Sequence, residues 1–144
     1  MFSVKDKVII VTGSSGGNGS AIVDGLKKLG AVVLGYDLPY WDITSNLHLY
    51  QLVDHALNHS GKIDGLINCA GITRGNDIFE YTDNDWEDTY KVNLKAPFKL
   101  SKEVAKHMKE NGGSIINITS LNSELGFPNN PAYVAMKGGL KQLT

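Results

Sequence analysis

The chain has 144 residues, 42% of them hydrophobic, with 14 basic against 15 acidic side chains and a net charge of −1. That apolar share suits a globular core and argues against disorder, while the balanced charge offers no basic surface for nucleic acid or an anionic membrane. One cysteine, Cys69, excludes an internal disulfide, and neither Met1–Lys7 nor any later stretch is apolar enough for a signal or a membrane span, so a single cytoplasmic domain is expected.

In chain order, Lys7–Val11 is a short apolar run ended by a glycine turn, as in a strand covered on both faces. Asn18–Leu29 carries Ile22, Val23, Leu26 and Leu29 at helical spacing and stops at Gly30. Ala31–Tyr36 reads as the second strand. Leu47, Tyr50, Val53 and Leu57 form one stripe of a helix closed by Gly61. Ile63–Asn68 is the next strand, Asp85 to about Glu110 a long helix anchored to the sheet by Trp86, and Ser114–Thr119 the last strand. A final helix starts near Pro131. Strand and helix signals alternate, which predicts an α/β fold with a parallel sheet.

The stretch Thr12–Gly19 lies between the first strand and the first helix. Gly13 permits the tight turn, Gly17 lets a pyrophosphate approach the backbone, and Gly19 allows close helix–strand packing. The helix start then offers free N–H groups and a positive dipole end to phosphate. Asp37 follows Gly19 at the spacing of an acid that accepts from ribose hydroxyls and repels a 2′-phosphate. Ser14, Ser15 and Gly16 bring no cation for such a phosphate, so NAD is expected, with NADP the less favoured form.

Tyr133 and Lys137 are four residues apart, on one helix face and one turn apart. An ammonium beside a phenol favours the phenolate, so the tyrosine is expected to exchange a proton with an alcohol or carbonyl near working pH. That points to an oxidoreductase acting on a small-molecule alcohol or ketone. His55 and His59 have a spacing that could hold a metal, but no third ligand is suitably placed, so no metal is expected and a solvated face is preferred. His48 and His107 have no partner legible in the sequence, and Cys69 reads as a small buried residue beside the cofactor.

Five motifs in order resemble the short-chain dehydrogenase/reductase family. They are Thr12-Gly13-Ser14-Ser15-Gly16-Gly17-Asn18-Gly19, Asn68-Cys69-Ala70-Gly71, Asn93, Ser120, and the Tyr133–Lys137 pair. The interval from Ser120 to Tyr133 is also the family's. The resemblance implies a doubly wound, Rossmann-like fold in which Tyr133 is the general acid/base and Lys137 tunes it while binding the nicotinamide ribose. Ser120 would hold the substrate oxygen, and Asn93 a water linking Lys137 to solvent. Gly13, Ser15, Gly17, Asn18, Gly19, Asp37, Asp42, Asn68, Ala70 and Gly71 would form the cofactor site, with Asp42 reading the adenine amino group. Asn18 replaces the family's usual aliphatic residue.

The family places a helix and a third strand between the positions of Asp37 and Asp42, where this chain has only Leu38, Pro39, Tyr40 and Trp41. A parallel crossover needs about a dozen residues, so that helix should be absent and the third strand reduced to a short extended stretch. The chain also stops at Thr144, inside the last expected helix. The resemblance therefore implies an incomplete C-terminal half, little turnover by these residues alone, and a homo-oligomer weakened by the shortened helix. Ile72-Thr73-Arg74 is similar to the 3-oxoacyl carrier-protein reductases, which usually use NADP, and keeps acyl-thioester reduction as an alternative. A nucleotide-binding remnant or scaffold without turnover is the other.

Overall fold

Strand β1 (Val8–Thr12) is buried along its whole length because it has a strand on either side and a helical layer on both faces. The computed structural model describes residues 3–144. β1 pairs in parallel with β2 (Val32–Tyr36) and with β3 (Gly65–Asn68), and β3 pairs with β4 (Ser114–Asn117), giving the order β2-β1-β3-β4. The helices are α1 (Gly17–Lys28), α2 (Asn46–Ser60), α3 (Asp83–Tyr90), α4 (Ala96–Met108) and α5 (Pro131–Gln142). A π-helical turn at Lys91–Lys95 joins α3 to α4.

Successive strand residues point to opposite faces, and the core divides accordingly. Ile10, Tyr36 and Leu66 meet Leu49, Leu52, Val53 and Ala56 of α2 and Leu100, Val104 and Met108 of α4. Ile9, Val11 and Ile67 face Ile22, Val23 and Leu26 of α1. Each fully buried aliphatic side chain contributes roughly 1.5–3 kcal/mol, so the strand register is set by what each face covers.

Two sequence expectations need correction. The buried face of α2 runs through Leu49, Leu52, Val53 and Ala56, whereas Leu47 is 63% and Tyr50 54% exposed. Two stripes at helical spacing compete in this segment, and the one meeting α4 prevails. Trp86 is 40% exposed and does not anchor the long helix; the inward line of α3 and the π turn passes through Thr89 and Asn93.

Residues 37–45 carry neither helix nor strand, which leaves β2 at an edge of the sheet. The segment folds on itself through Trp41 N–H to the Asp37 carbonyl (3.0 Å) and Ser45 N–H to the Asp42 carbonyl (3.0 Å). Trp41 packs edge-on against the Tyr36 ring, 5.1 Å between centroids, and joins the core on the α2 side of the sheet.

Asp64, at the entry to β3, ties the start of the sheet together. Its carboxylate accepts from the Val8 amide at 2.9 Å and from Lys7 and Lys62 at 3.0 and 2.9 Å. Partial burial favours the neutral acid, but the Val8 amide and the two lysines outweigh it and hold the carboxyl down to about 2. The folded value lies below the unfolded one, so this contribution is complete above the ordinary aspartate range and is lost as pH falls through the folded value. Asp64→Asn should therefore cost about 1 kcal/mol at pH 7, allowing for solvent screening of two exposed lysines. The difference from the parent chain should close towards pH 2, measured by urea denaturation.

Candidate active site

The turn after β1 is shaped by contacts that exclude side chains. Gly13 has φ +65°, and a Cβ there would come within 2.7 Å of Ala70 Cα. A Cβ on Gly19 would collide with the Gly13 carbonyl, so Gly19 packs on the loop itself and not on the strand as expected. Gly17 has open space before it, and α1 starts with no side-chain cap. Its first-turn N–H groups therefore remain available. Thr12 Oγ1 accepts from the amides of Cys69 (3.2 Å) and Ala70 (3.3 Å), clamping the glycine turn to the end of β3.

A cleft of about 330 Å³ runs over this turn, lined among others by Gly13, Gly17, Asn18, Asp37, Asp42 and Gly71. Asp37 is already engaged there. One carboxylate oxygen accepts from the Ser15 amide and the other from the Leu38 amide, both at 2.8 Å. Asp42 Oδ1 accepts from the amide and hydroxyl of Thr44.

The second cluster gathers where the π turn faces α5. Widening the helix, so that the Ala96 amide reaches back to the Lys91 carbonyl, turns Asn93 fully inward. Such turns are frequent at functional sites. Asn93 accepts from the Ile72 amide at 3.1 Å and donates to the Ile72 carbonyl at 2.7 Å. A Cβ on Gly71 would lie 2.8 Å from Asn93 Oδ1 and 3.7 Å from Lys137 Nζ.

Lys137 is 4% exposed, and burial lowers its pKa, opposed by the nearby Cys69. Its Nζ donates to the Ile118 carbonyl at 2.6 Å and stands 5.7 Å from the centre of the Tyr133 ring, within cation–π range. Tyr133 and Lys137 line a second cleft with Thr73, Ile118 and Asn130. Asn18, Cys69, Gly71 and Ile72 line both clefts, so they form one continuous groove. The Cys69 thiol, on that shared wall, is pushed up by burial.

Other expected residues sit differently. Ser120 Oγ accepts from the Asn122 amide at 3.2 Å and caps the short turn Leu121–Ser123. Asn68 points away from the groove, donating to Ser101 Oγ (3.0 Å) and Asn117 Oδ1 (2.8 Å) to join β3, α4 and β4. His55 is not merely solvated: its Nδ1 bonds the Tyr36 hydroxyl at 2.9 Å, and its ring stacks with His59. Burial pushes the Tyr36 phenol up to about 12. Tyr36 and Trp41 line the groove and carried no polar pattern that singled them out in the sequence.

Residues 38–144 match the short chain dehydrogenase family. The chain belongs to that family. It is 33% identical to 2-dehydro-3-deoxy-D-gluconate 5-dehydrogenase of Escherichia coli (strain K12), over 99% of this chain and 65% of that protein. It is likewise 33% identical to gluconate 5-dehydrogenase of Gluconobacter oxydans (strain 621H), over 100% of this chain and 65% of the relative. The chain thus spans about 65% of the length of these curated relatives. Among solved structures, a gluconate 5-dehydrogenase from Burkholderia cenocepacia in complex with NADP and tartrate superimposes with a TM-score of 0.90 at 28% identity. The alignment covers 99% of this short-chain dehydrogenase and 64% of that protein.

That neighbour overturns the expectation of NAD over NADP, because it carries NADP. The expectation took Asp37 as a carboxylate that accepts from the ribose hydroxyls and repels a 2′-phosphate, beside a loop without a cation. Each of its oxygens accepts one backbone amide, from Ser15 and from Leu38, so the carboxylate also serves the loop and its presence in the sequence does not by itself decide against a 2′-phosphate.

Proposed function

We propose that this short-chain dehydrogenase binds a nicotinamide dinucleotide along the groove and interconverts a secondary alcohol and a ketone on a sugar acid. The observation that carries this reading is the continuity of the two clefts. One surface leads from the glycine turn past Cys69 and Gly71 to the Tyr133–Lys137 pair. The cradle suits the ligand: the turn at Gly13, the open space before Gly17 and the uncapped start of α1 accept a diphosphate against backbone. When bound, the cofactor supplies the hydride. Tyr133 exchanges the proton at the substrate oxygen, and Lys137 sets the charge beside it while its own position is fixed by Ile118. Asn93 holds Ile72, and with it the backbone between the two clefts. Ser120 contributes to the substrate oxygen once its hydroxyl leaves the Asn122 amide.

The names of the gluconate relatives and the NADP-bound neighbour support a polyhydroxy acid substrate and NADP(H) as cofactor. Calorimetry with NADP, and NADPH oxidation with 5-keto-gluconate against a 3-oxoacyl thioester, test both parts. Binding with reduction of the keto acid is expected. Thioester reduction alone would favour the acyl alternative, and no cofactor binding would overturn the reading. β4 is an open sheet edge with Ile116 49% exposed, so turnover is proposed for a protein in which that edge is covered. Self-association through α3 and α4, where Trp86 and Phe98 are exposed, belongs to the same proposal, with sedimentation velocity as its check.

A further inference from the structure

The connection between β2 and α2, too short for a helix, is held in place by a histidine. The Asp42 amide donates to Nδ1 of His48, in the first turn of α2, at 3.1 Å. An amide can only donate, so this nitrogen carries the lone pair and the imidazole proton is on Nε2. The bond fixes a segment already braced on its other side, where Trp41 lies 5.1 Å from the Tyr36 ring, 5.7 Å from His55 and 6.5 Å from His48. Trp41, Asp42, Ile43 and Thr44 all line the cleft that contains the glycine turn, whereas His48 does not. His48 therefore acts on the cleft only through the segment.

We infer that His48 is a positioning residue for the cofactor cleft, its neutral imidazole holding the Trp41–Thr44 wall against which the adenosine end of the dinucleotide rests. This deepens the reading above and rests on it. A side chain without an acceptor here leaves the Asp42 amide unpaired and the segment unheld, so cofactor affinity falls, whereas one that keeps an acceptor preserves it. Around this bond, Trp41 stands 6.5 Å from the imidazole and the Asp42 carboxylate accepts from the Thr44 amide and hydroxyl. From α4, Lys99 reaches Asn46 at 2.6 Å. None of these supplies the Asp42 amide with another acceptor.

The test measures NADP binding to the 144-residue chain by calorimetry, with His48→Asn and His48→Ala alongside. The asparagine side-chain oxygen can take the place of Nδ1 as the acceptor. At pH 7.5, His48→Ala should bind roughly 5–10-fold more weakly than the parent, the loss of one hydrogen bond, and His48→Asn should restore binding to within about twofold. Without cofactor, the Asp42 amide resonance should shift in His48→Ala and stay close to its parent position in His48→Asn. Equal affinity of His48→Ala and the parent, or failure of His48→Asn to restore binding, overturns the inference. If the parent binds neither NADP nor NAD, the cofactor reading itself fails and the inference with it, a result distinct from binding that is indifferent to His48.

Discussion

Replacing Tyr133 by phenylalanine is expected to lower carbonyl reduction at least 100-fold while leaving cofactor affinity within about twofold. General acid–base catalysis contributes about 10²–10⁴-fold, and the substitution removes the only group on this side chain that can carry a proton. The structure gives the Tyr133 hydroxyl no hydrogen-bond partner among the described residues, so the fold does not depend on it. The ring itself stays beside Lys137 Nζ, where the 5.7 Å contact involves the face and not the hydroxyl. Loss should therefore appear in kcat and kcat/KM together, as for an interaction made in the transition state. Steady-state kinetics and calorimetry on parent and variant of identical length check both halves. A variant retaining more than a tenth of the parent kcat would remove Tyr133 from the chemistry.

Asn93→Ala is expected to be the most damaging polar substitution for stability. Asn93 is completely buried and satisfies both the amide and the carbonyl of Ile72. Truncation leaves two backbone groups without partners and opens a void beside Gly71, at a cost of about 3 kcal/mol. Against a total stability of roughly 5–15 kcal/mol for a domain of this kind, that should lower the melting temperature by about 10 °C. Differential scanning calorimetry measures it, and a shift below 2 °C would mean that solvent replaces the lost bonds.

The sequence carried the parallel α/β architecture well, because β1 and β3 are fully buried strands whose composition matches that environment. The glycine turn was legible for the same kind of reason: Gly13 and Gly19 stand where side chains do not fit. The face of α2 was not, since Leu47 and Tyr50 offer a stripe as regular as the buried one, and only the approach of α4 decides between them. The cofactor preference read from Asp37 failed on a subtler point. Spacing puts a carboxylate at the end of β2, but its direction is set by the Ser15 and Leu38 amides, which no pattern of side chains records. His48 was missed because its partner is a backbone amide of a segment without regular structure.

The widened turn at Lys91–Lys95 makes residue number, not residue type, a determinant of this active site. Each residue advances an α-helix by about 100°, so the extra residue offsets the half that carries Thr89 and Asn93 from the half that carries Leu100, Val104 and Met108. Removing a single residue there could still yield an unbroken helix with every hydrogen bond made. It would then have to choose which half to aim correctly: the apolar half beneath the sheet, or the polar half that meets Ile72. Substitutions along this helix can be absorbed one at a time, but an insertion or deletion forces the core and the groove into competition for the same rotation.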